Sequence, residues 1–284
     1  MNKTLLAVAL ATAGLSANVM ALSFTDGDFN GSVDIGGTIT VPTATNQWQW
    51  ATGSGLDTFT HSVTVMTNGY KTLTIPVAAD TPLLVGQTKA ATVGKVGGLG
   101  ITPQIRFMQA DGITPVTITY NGTPSGKGVM SLPVVDSVTP TTVLGSAVLN
   151  VKAGGAFAVS SSDGLIVDIR SVVYDGGAGR VFGVDFPGVA DGIATGYQAA
   201  SWAESLGAHS ADAMVGQVQT LIPTATTKKE VTIHGDSMNS PSRFFSGSYG
   251  LGIASGDNIV VNFTNPVAAE TQWKARLNIA VTYL

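Results

Sequence analysis

Few residues in this sequence are arranged as catalytic chemistry requires. His61, His209 and His234 lie far apart and share no metal-ligand spacing. His234-Gly235-Asp236 offers half of a cation site, and reads more simply as a turn with polar tips. Gly122-Thr123-Pro124-Ser125-Gly126-Lys127-Gly128 imitates a phosphate loop. It is one residue short between its glycines and has Gly128 where Ser or Thr would bind magnesium, so a β-turn is expected. Gly176-Gly177-Ala178-Gly179-Arg180-Val181 imitates a calcium-binding nonapeptide without its Asp. Asp185 and Asp191 are two carboxylates that nothing marks as acid and base, and no nucleophile-elbow pattern occurs. No enzyme class and no cofactor follow from these residues.

Sugar recognition asks for less: an aromatic face and a few planar polar groups. Tyr174, Asp175, Arg180, Phe182, Phe186, Tyr197 and Trp202 supply that set within one stretch. For each aromatic taken singly, packing in a core is the stronger expectation.

The elements that must position these residues are mostly strands. Leu73, Ile75 and Val77 alternate with polar residues or Pro, as do Val116, Ile118 and Tyr120. Ala147, Leu149 and Val151 form a third such set, and Ile259, Val261 and Phe263 a fourth. Turns such as Thr67-Asn68-Gly69 punctuate the runs, which predicts an all-β sandwich or barrel. Residues 193–222 break the pattern, with apolar residues at spacings of three and four. They predict two short helices covering one end of the sandwich, the second capped by Ser210 with Asp212 in its first turn and closed by Pro223.

Composition removes whole function classes. Charged residues are 11% of the 284, against about a quarter in ordinary domains, and the formal net charge is −4. No basic surface is available for nucleic acid or anionic lipid. With no cysteine, thiolate catalysis and disulfide staples are excluded. Residues 1–21 read as a secretory signal: Lys3 gives the positive start, residues 5–15 the apolar stretch, and Val19-Met20-Ala21 the small-residue cleavage site, with a cut after Ala17 as the alternative. An exported protein without disulfides must be held together by burial.

The two ends of the remaining chain carry the longest alternations. Phe29, Val33, Ile35, Ile39 and Val41 share one face of the first, with Gly31 and Gly37 in the gaps. Trp273, Ala275, Leu277, Ile279, Val281 and Tyr283 share one face of the last. Pattern alone leaves two arrangements open. Both segments are strands of one closed sandwich, or the first segment of one copy completes the sheet of the next. The second arrangement is head-to-tail and non-closing, and therefore yields a fibre.

These residues resemble the major subunits of kappa-class chaperone–usher fimbriae of Gram-negative bacteria, the FaeG-like adhesins. The resemblance is carried by residues 27–37 (Gly27-Asp28-Phe29-Asn30-Gly31-Ser32-Val33-Asp34-Ile35-Gly36-Gly37), by Gln272-Trp273, and by residues 277–283 (Leu277-Asn278-Ile279-Ala280-Val281-Thr282-Tyr283). Trp48, Trp50, Pro103-Gln104-Ile105, Gly216-Gln217-Val218-Gln219 and Tyr249-Gly250-Leu251-Gly252-Ile253-Ala254 add to it, and residues 134–200 match least. The resemblance implies an incomplete immunoglobulin-like β-sandwich, residues 41–284, completed by a donor strand. The donor, residues 22–40, would present Phe29, Val33, Ile35 and Ile39. The edge formed by Trp273, Leu277, Ile279, Val281 and Tyr283 would accept it, after first engaging a periplasmic chaperone and meeting an outer-membrane usher. A middle insertion with short helices, about residues 152–223, would hold the surface that binds a host glycoconjugate. The competing reading of the same alternations is an outer-membrane β-barrel, which the short runs and the helical stretch disfavour.

Overall fold

The alternating runs fold as strands in the computed structural model, which describes residues 47–284. The strands are β1 (Trp48–Thr52), β2 (Thr72–Pro76), β3 (Thr81–Thr88), β4 (Thr92–Val93), β5 (Pro103–Met108), β6 (Thr119–Tyr120), β7 (Lys127–Asp136), β8 (Val143–Ser160) and β9 (Ile166–Val172). Helices α1 (Gly196–Ser205) and α2 (Ala211–Leu221) follow. The chain then forms β10 (Thr227–His234), β11 (Phe244–Ile253), β12 (Asn258–Phe263), β13 (Trp273–Ala275) and β14 (Asn278–Tyr283). The result is an all-β, sandwich-like fold built on a curled, mainly antiparallel sheet.

The 18-residue β8 organises that sheet. Its first half pairs with β7 and β12, and β12 carries β2 beyond it. Its second half pairs with β11 and β9, and β11 leads through β3 to β1. One edge of β8 passes from β12 to β11 and the other from β7 to β9; Lys152, where the resemblance put the start of an insertion, pairs with both Lys127 of β7 and Gly252 of β11. β14 and β5 form a separate two-stranded ladder. Ile105 and Phe107 of β5 are buried in the same core as Leu132, Leu149 and Val261 of the curled sheet. Of the four internal alternating sets, three bury all their apolar residues. The exception is Val116, Ile118 and Tyr120, which the chain splits between two ladders. Pro115 bridges to Met108 of β5, whereas Tyr120 pairs with Gly128 of β7.

An aromatic cluster fills the core where β1, β8 and β11 meet. Phe157 is fully buried, with Trp48, Phe182 and Phe245 at centroid separations of 5.9–6.2 Å. Offset and edge-to-face contacts of this kind each add roughly 0.5–1.5 kcal/mol beyond area burial. Gly155 leaves room for Phe182, because a Cβ there would lie 2.6 Å from the ring.

The predicted helices form where expected. Thr195 accepts from the Gln198 N–H, and Ser210 accepts from the Ala213 N–H at 3.1 Å. α2 ends at Leu221, just before Ile222 and Pro223. Their apolar faces build a second core, with Ala199, Trp202, Met214 and Val218 against Ala156, Ala158, Val167 and Ile169 of β8 and β9. Gln217 fixes α2 to the sheet by accepting from Ser246 Oγ at 2.7 Å and from Thr88 Oγ1 at 3.2 Å. The helices also return the chain across the sheet, so that β10 lies parallel to β9.

Candidate functional site

Between the curled sheet and the segment leading into β14 lies a largely apolar groove of about 1240 Å³, which reaches β14 at Ile279. Leu73, Leu132, Leu149, Ile259 and Phe263 line one wall, and Leu277 and Ile279 the other. Burial follows the predicted alternation from Trp273 to Leu277 and again at Thr282: Trp273, Ala275, Leu277, Ile279, Val281 and Tyr283 are half-buried and Lys274, Arg276 and Thr282 exposed, while Asn278 and Ala280 are half-buried as well. All six inward side chains pack against the main core. Among the described residues β14 has one strand partner, β5, with Ile279 opposite Phe107 and Val281 opposite Ile105. Trp273 sits one element earlier, in β13, where it pairs with Asp136 of β7. A groove of this kind suits an extended segment with apolar residues at every second position. Phe29, Val33, Ile35 and Ile39, the expected donors, lie outside the described residues.

A second concavity, of about 640 Å³, is polar and lies at the β9–β10 end. Arg170, Asp175, Arg180, His234, Asp236 and Arg243 line it. Arg170, buried, is held by Asp168 at 2.9 Å and Asp236 at 3.3 Å, and its Nε has no hydrogen-bond partner among the described residues. Arg180 grips Asp175 through two bonds of 2.6 and 2.8 Å, and the Arg180 bond holds the Asp175 carboxyl below its ordinary 3.8. Burial first, and then the charge of Arg170, hold His234 below its ordinary 6.5. Arg180 and Arg243 act in the same sense on His234, and Asp236 opposes them. Paired guanidinium and carboxylate groups beside a neutral imidazole give a wall of alternating donors and acceptors, suited to a hydroxyl-rich ligand.

The expected sugar-binding set divides here. Asp175 and Arg180 line the polar concavity. Tyr174, next to Asp175 in sequence, and Tyr197, in the first turn of α1, are half-buried, and neither lines it. Phe182, Phe186 and Trp202 must be withdrawn, because each is 4% exposed or less. Phe182 lies 4.9 Å from Phe186 and 4.8 Å from Tyr249, so both its faces are spent in the core. Trp202 donates to the Gly250 carbonyl at 3.1 Å, and the Lys152 ammonium covers its ring at 4.6 Å. Sequence reasoning missed Arg170, Asn239 and Arg243. The one available signal was Asp168 and Arg170 two apart on a strand in a chain so poor in charge.

The motifs set aside earlier are structural. His234 ends β10, and Asp236 accepts from the Ser237 and Met238 N–H groups to form the turn that follows. Residues 122–128 make the β6–β7 turn, in which Asn121 accepts from Thr123 and Gly126 has φ +73°. Asp185 pairs with Arg106 at 3.1 Å, and Asp191 accepts from the Gly122 N–H at 2.7 Å. His209 meets Gln217 Nε2 at 3.0 Å, and His61 stacks on Phe59 at 6.4 Å.

The sequence matches, over residues 1–284, the family described as major and minor fimbrial subunits. It is 35% identical to the K88 fimbrial protein AB and 33% identical to the K88 fimbrial protein AC, both of Escherichia coli, and each alignment covers the whole of both chains. Identity to the F41 fimbrial protein of Escherichia coli is 30%, again over the full length of both.

Proposed function

The chain belongs to the K88 family of major and minor fimbrial subunits, and from that premise we propose that it polymerises by donating residues 22–40 into the groove beside β14 of the next copy. A member of this family is a structural subunit of a surface fimbrium and not an enzyme. A β-barrel is not favoured: the apolar faces of the described strands point into two packed cores, and helices cover one of them.

The observation that carries the proposal is the apolar groove with Leu277 and Ile279 on one wall. The alternating face of Phe29, Val33, Ile35 and Ile39 matches it in chemistry and period. Each of those side chains would contribute about 1.5–3 kcal/mol on burial, as an upper figure. On this reading residues 1–21 direct export, a periplasmic chaperone occupies the groove first, and an outer-membrane usher exchanges it for the neighbour's segment. The test is a chain lacking residues 22–40, expected to remain chaperone-bound and form no fibres by electron microscopy. Fibres from that chain would overturn the proposal.

Adhesion to host glycans is the second part of the reading. It is supported by the polar concavity at Asp175 and Arg180; Tyr174 and Tyr197, half-buried and outside that lining, are the remaining aromatic candidates within residues 152–223. Arg180→Ala is expected to reduce fibre binding to a glycan array while leaving fibre yield intact. Unchanged binding would remove the pocket from the reading.

A further inference from the structure

The groove and the polar pocket have no lining residue in common, yet hydrogen bonds and ring contacts connect β14 to the pocket. We propose that seating a strand in the groove beside β14 orders the polar pocket, so that the two are thermodynamically coupled. The inference rests on the strand-donation reading for what fills the groove; the pocket's ligand does not enter it.

Two connections run from β14 to the pocket. One is main chain. β14 pairs with β5, and the opposite side of β5 holds residues 180–183: the Phe182 N–H donates to the Pro103 carbonyl at 2.7 Å, and the Ile105 N–H to the Phe182 carbonyl at 3.2 Å. Gln104 Nε2 donates to the Arg180 carbonyl at 2.8 Å. The Val181 N–H then donates to the Asp236 carbonyl at 2.9 Å, and Thr102 Oγ1 to the Ser237 carbonyl at 2.9 Å. Arg180 and Asp236 are thus pocket residues whose backbones are fixed from β5. The other connection is aromatic. Trp50 donates to the Tyr283 oxygen at 3.0 Å and stacks on Trp48 at 5.5 Å, and Trp48 packs edge-on against Phe182 at 5.6 Å.

Phe182 is where the two meet, and it is the element able to switch. Its φ of +70° places a bulky residue in the left-handed region, a strained conformation that persists only while its surroundings over-determine it. Those surroundings are β5 and the Trp48 cluster. A firmly seated β14 holds both, and a loosened β14 lets residues 180–183 relax and the Arg180–Asp175 wall with them. Coupling of this kind is reciprocal and amounts to roughly 5–150-fold in an equilibrium constant.

Amide hydrogen exchange on the full chain tests this, because the 181, 182, 237 and 238 N–H groups all have identified acceptors. In the monomer, Ile279→Asp is expected to speed exchange at 278–282, 180–183 and 236–238 together, by roughly 5–150-fold, with α2 unchanged. Faster exchange confined to 278–282 would overturn the coupling. If that variant does not fold, wild-type fibres and Gln104→Leu fibres, each compared with monomer, decide instead. Wild-type fibres should slow all three stretches, and Gln104→Leu fibres should slow 278–282 with a smaller effect at 180–183. Wild-type fibres slowed at 278–282 alone would overturn the coupling and leave strand donation standing. Fibres unprotected at 278–282 would count against strand donation, and the milder Ile279→Ala monomer, judged by the same three stretches, then decides the coupling.

Discussion

The indole N–H of Trp50 donates a 3.0 Å hydrogen bond to the phenol oxygen of Tyr283, joining β1 to β14 across 233 positions of sequence. Burial raises the Tyr283 pKa above its ordinary 10, and the Trp50 bond opposes that shift. Tyr283→Phe removes the acceptor and leaves the Trp50 N–H part-buried. Denaturant unfolding is expected to show a loss of about 0.5–1.5 kcal/mol, with the slope unchanged.

Gly86 faces the Trp50 ring from β3, and a Cβ there would fall inside the ring atoms Cε3 and Cζ3. Gly86→Ala must displace the indole, breaking its stack on Trp48 as well as its bond to Tyr283. The expected loss is about 1–3 kcal/mol, larger than for Tyr283→Phe, with a change in tryptophan fluorescence.

Ser210 satisfies an otherwise open N–H in the first turn of α2. Ser210→Ala is expected to cost about 1 kcal/mol and to lower the midpoint of thermal unfolding. Ser210→Asp should restore most of it, since a carboxylate both caps the turn and suits the positive end of the helix.

His234 carries a lowered folded pKa, so the folded state binds its proton less readily than the unfolded chain does. Its contribution to stability is therefore present above the unfolded value of 6.5 and is lost as pH falls through the lower folded value. Thermal midpoints measured from pH 8 to pH 5 should fall less steeply below 6.5 in His234→Gln than in wild type. Parallel curves would show that burial and Arg170 do not act on this imidazole as the structure implies.

Phe29 is the largest apolar side chain of the proposed donor face. Phe29→Ala is expected to lower fibre stability, and fibres should dissociate at a lower temperature or denaturant concentration. The loss per contact is up to roughly 1.5–3 kcal/mol. Equal dissociation curves would place the donor contact elsewhere.

Legibility in the sequence followed the number of faces an element buries. Strands with one buried face, such as Leu73–Val77 and Ile259–Phe263, announce themselves by alternation, and α2 by its cap and spacing. The second half of β8 does not. From Ala153 to Ser160 every residue is buried, because helices cover one face and the aromatic core the other, so no period survives. Leu277 and Ile279, which line the groove, were readable by their place in the terminal alternation, although within β14 only Thr282 is exposed. The polar pocket was not, because Arg170 on β9, Arg180 in the loop after it and Arg243 just before β11 come together only in the fold. Phe182, Phe186 and Trp202 misled because nothing local separates a ring that meets solvent from one that meets other rings.

The length of β8 has a mechanical consequence. A surface fibre is stretched whenever its cell is dragged by flow, and a pull delivered along β8 loads its ladders with β7, β12, β11 and β9 in parallel. Those bonds lie across the force and must shear together, where a sheet of short strands could unzip one rung at a time. One backbone 18 residues long thus serves as a tie-rod between the groove end and the helix-covered end of the subunit.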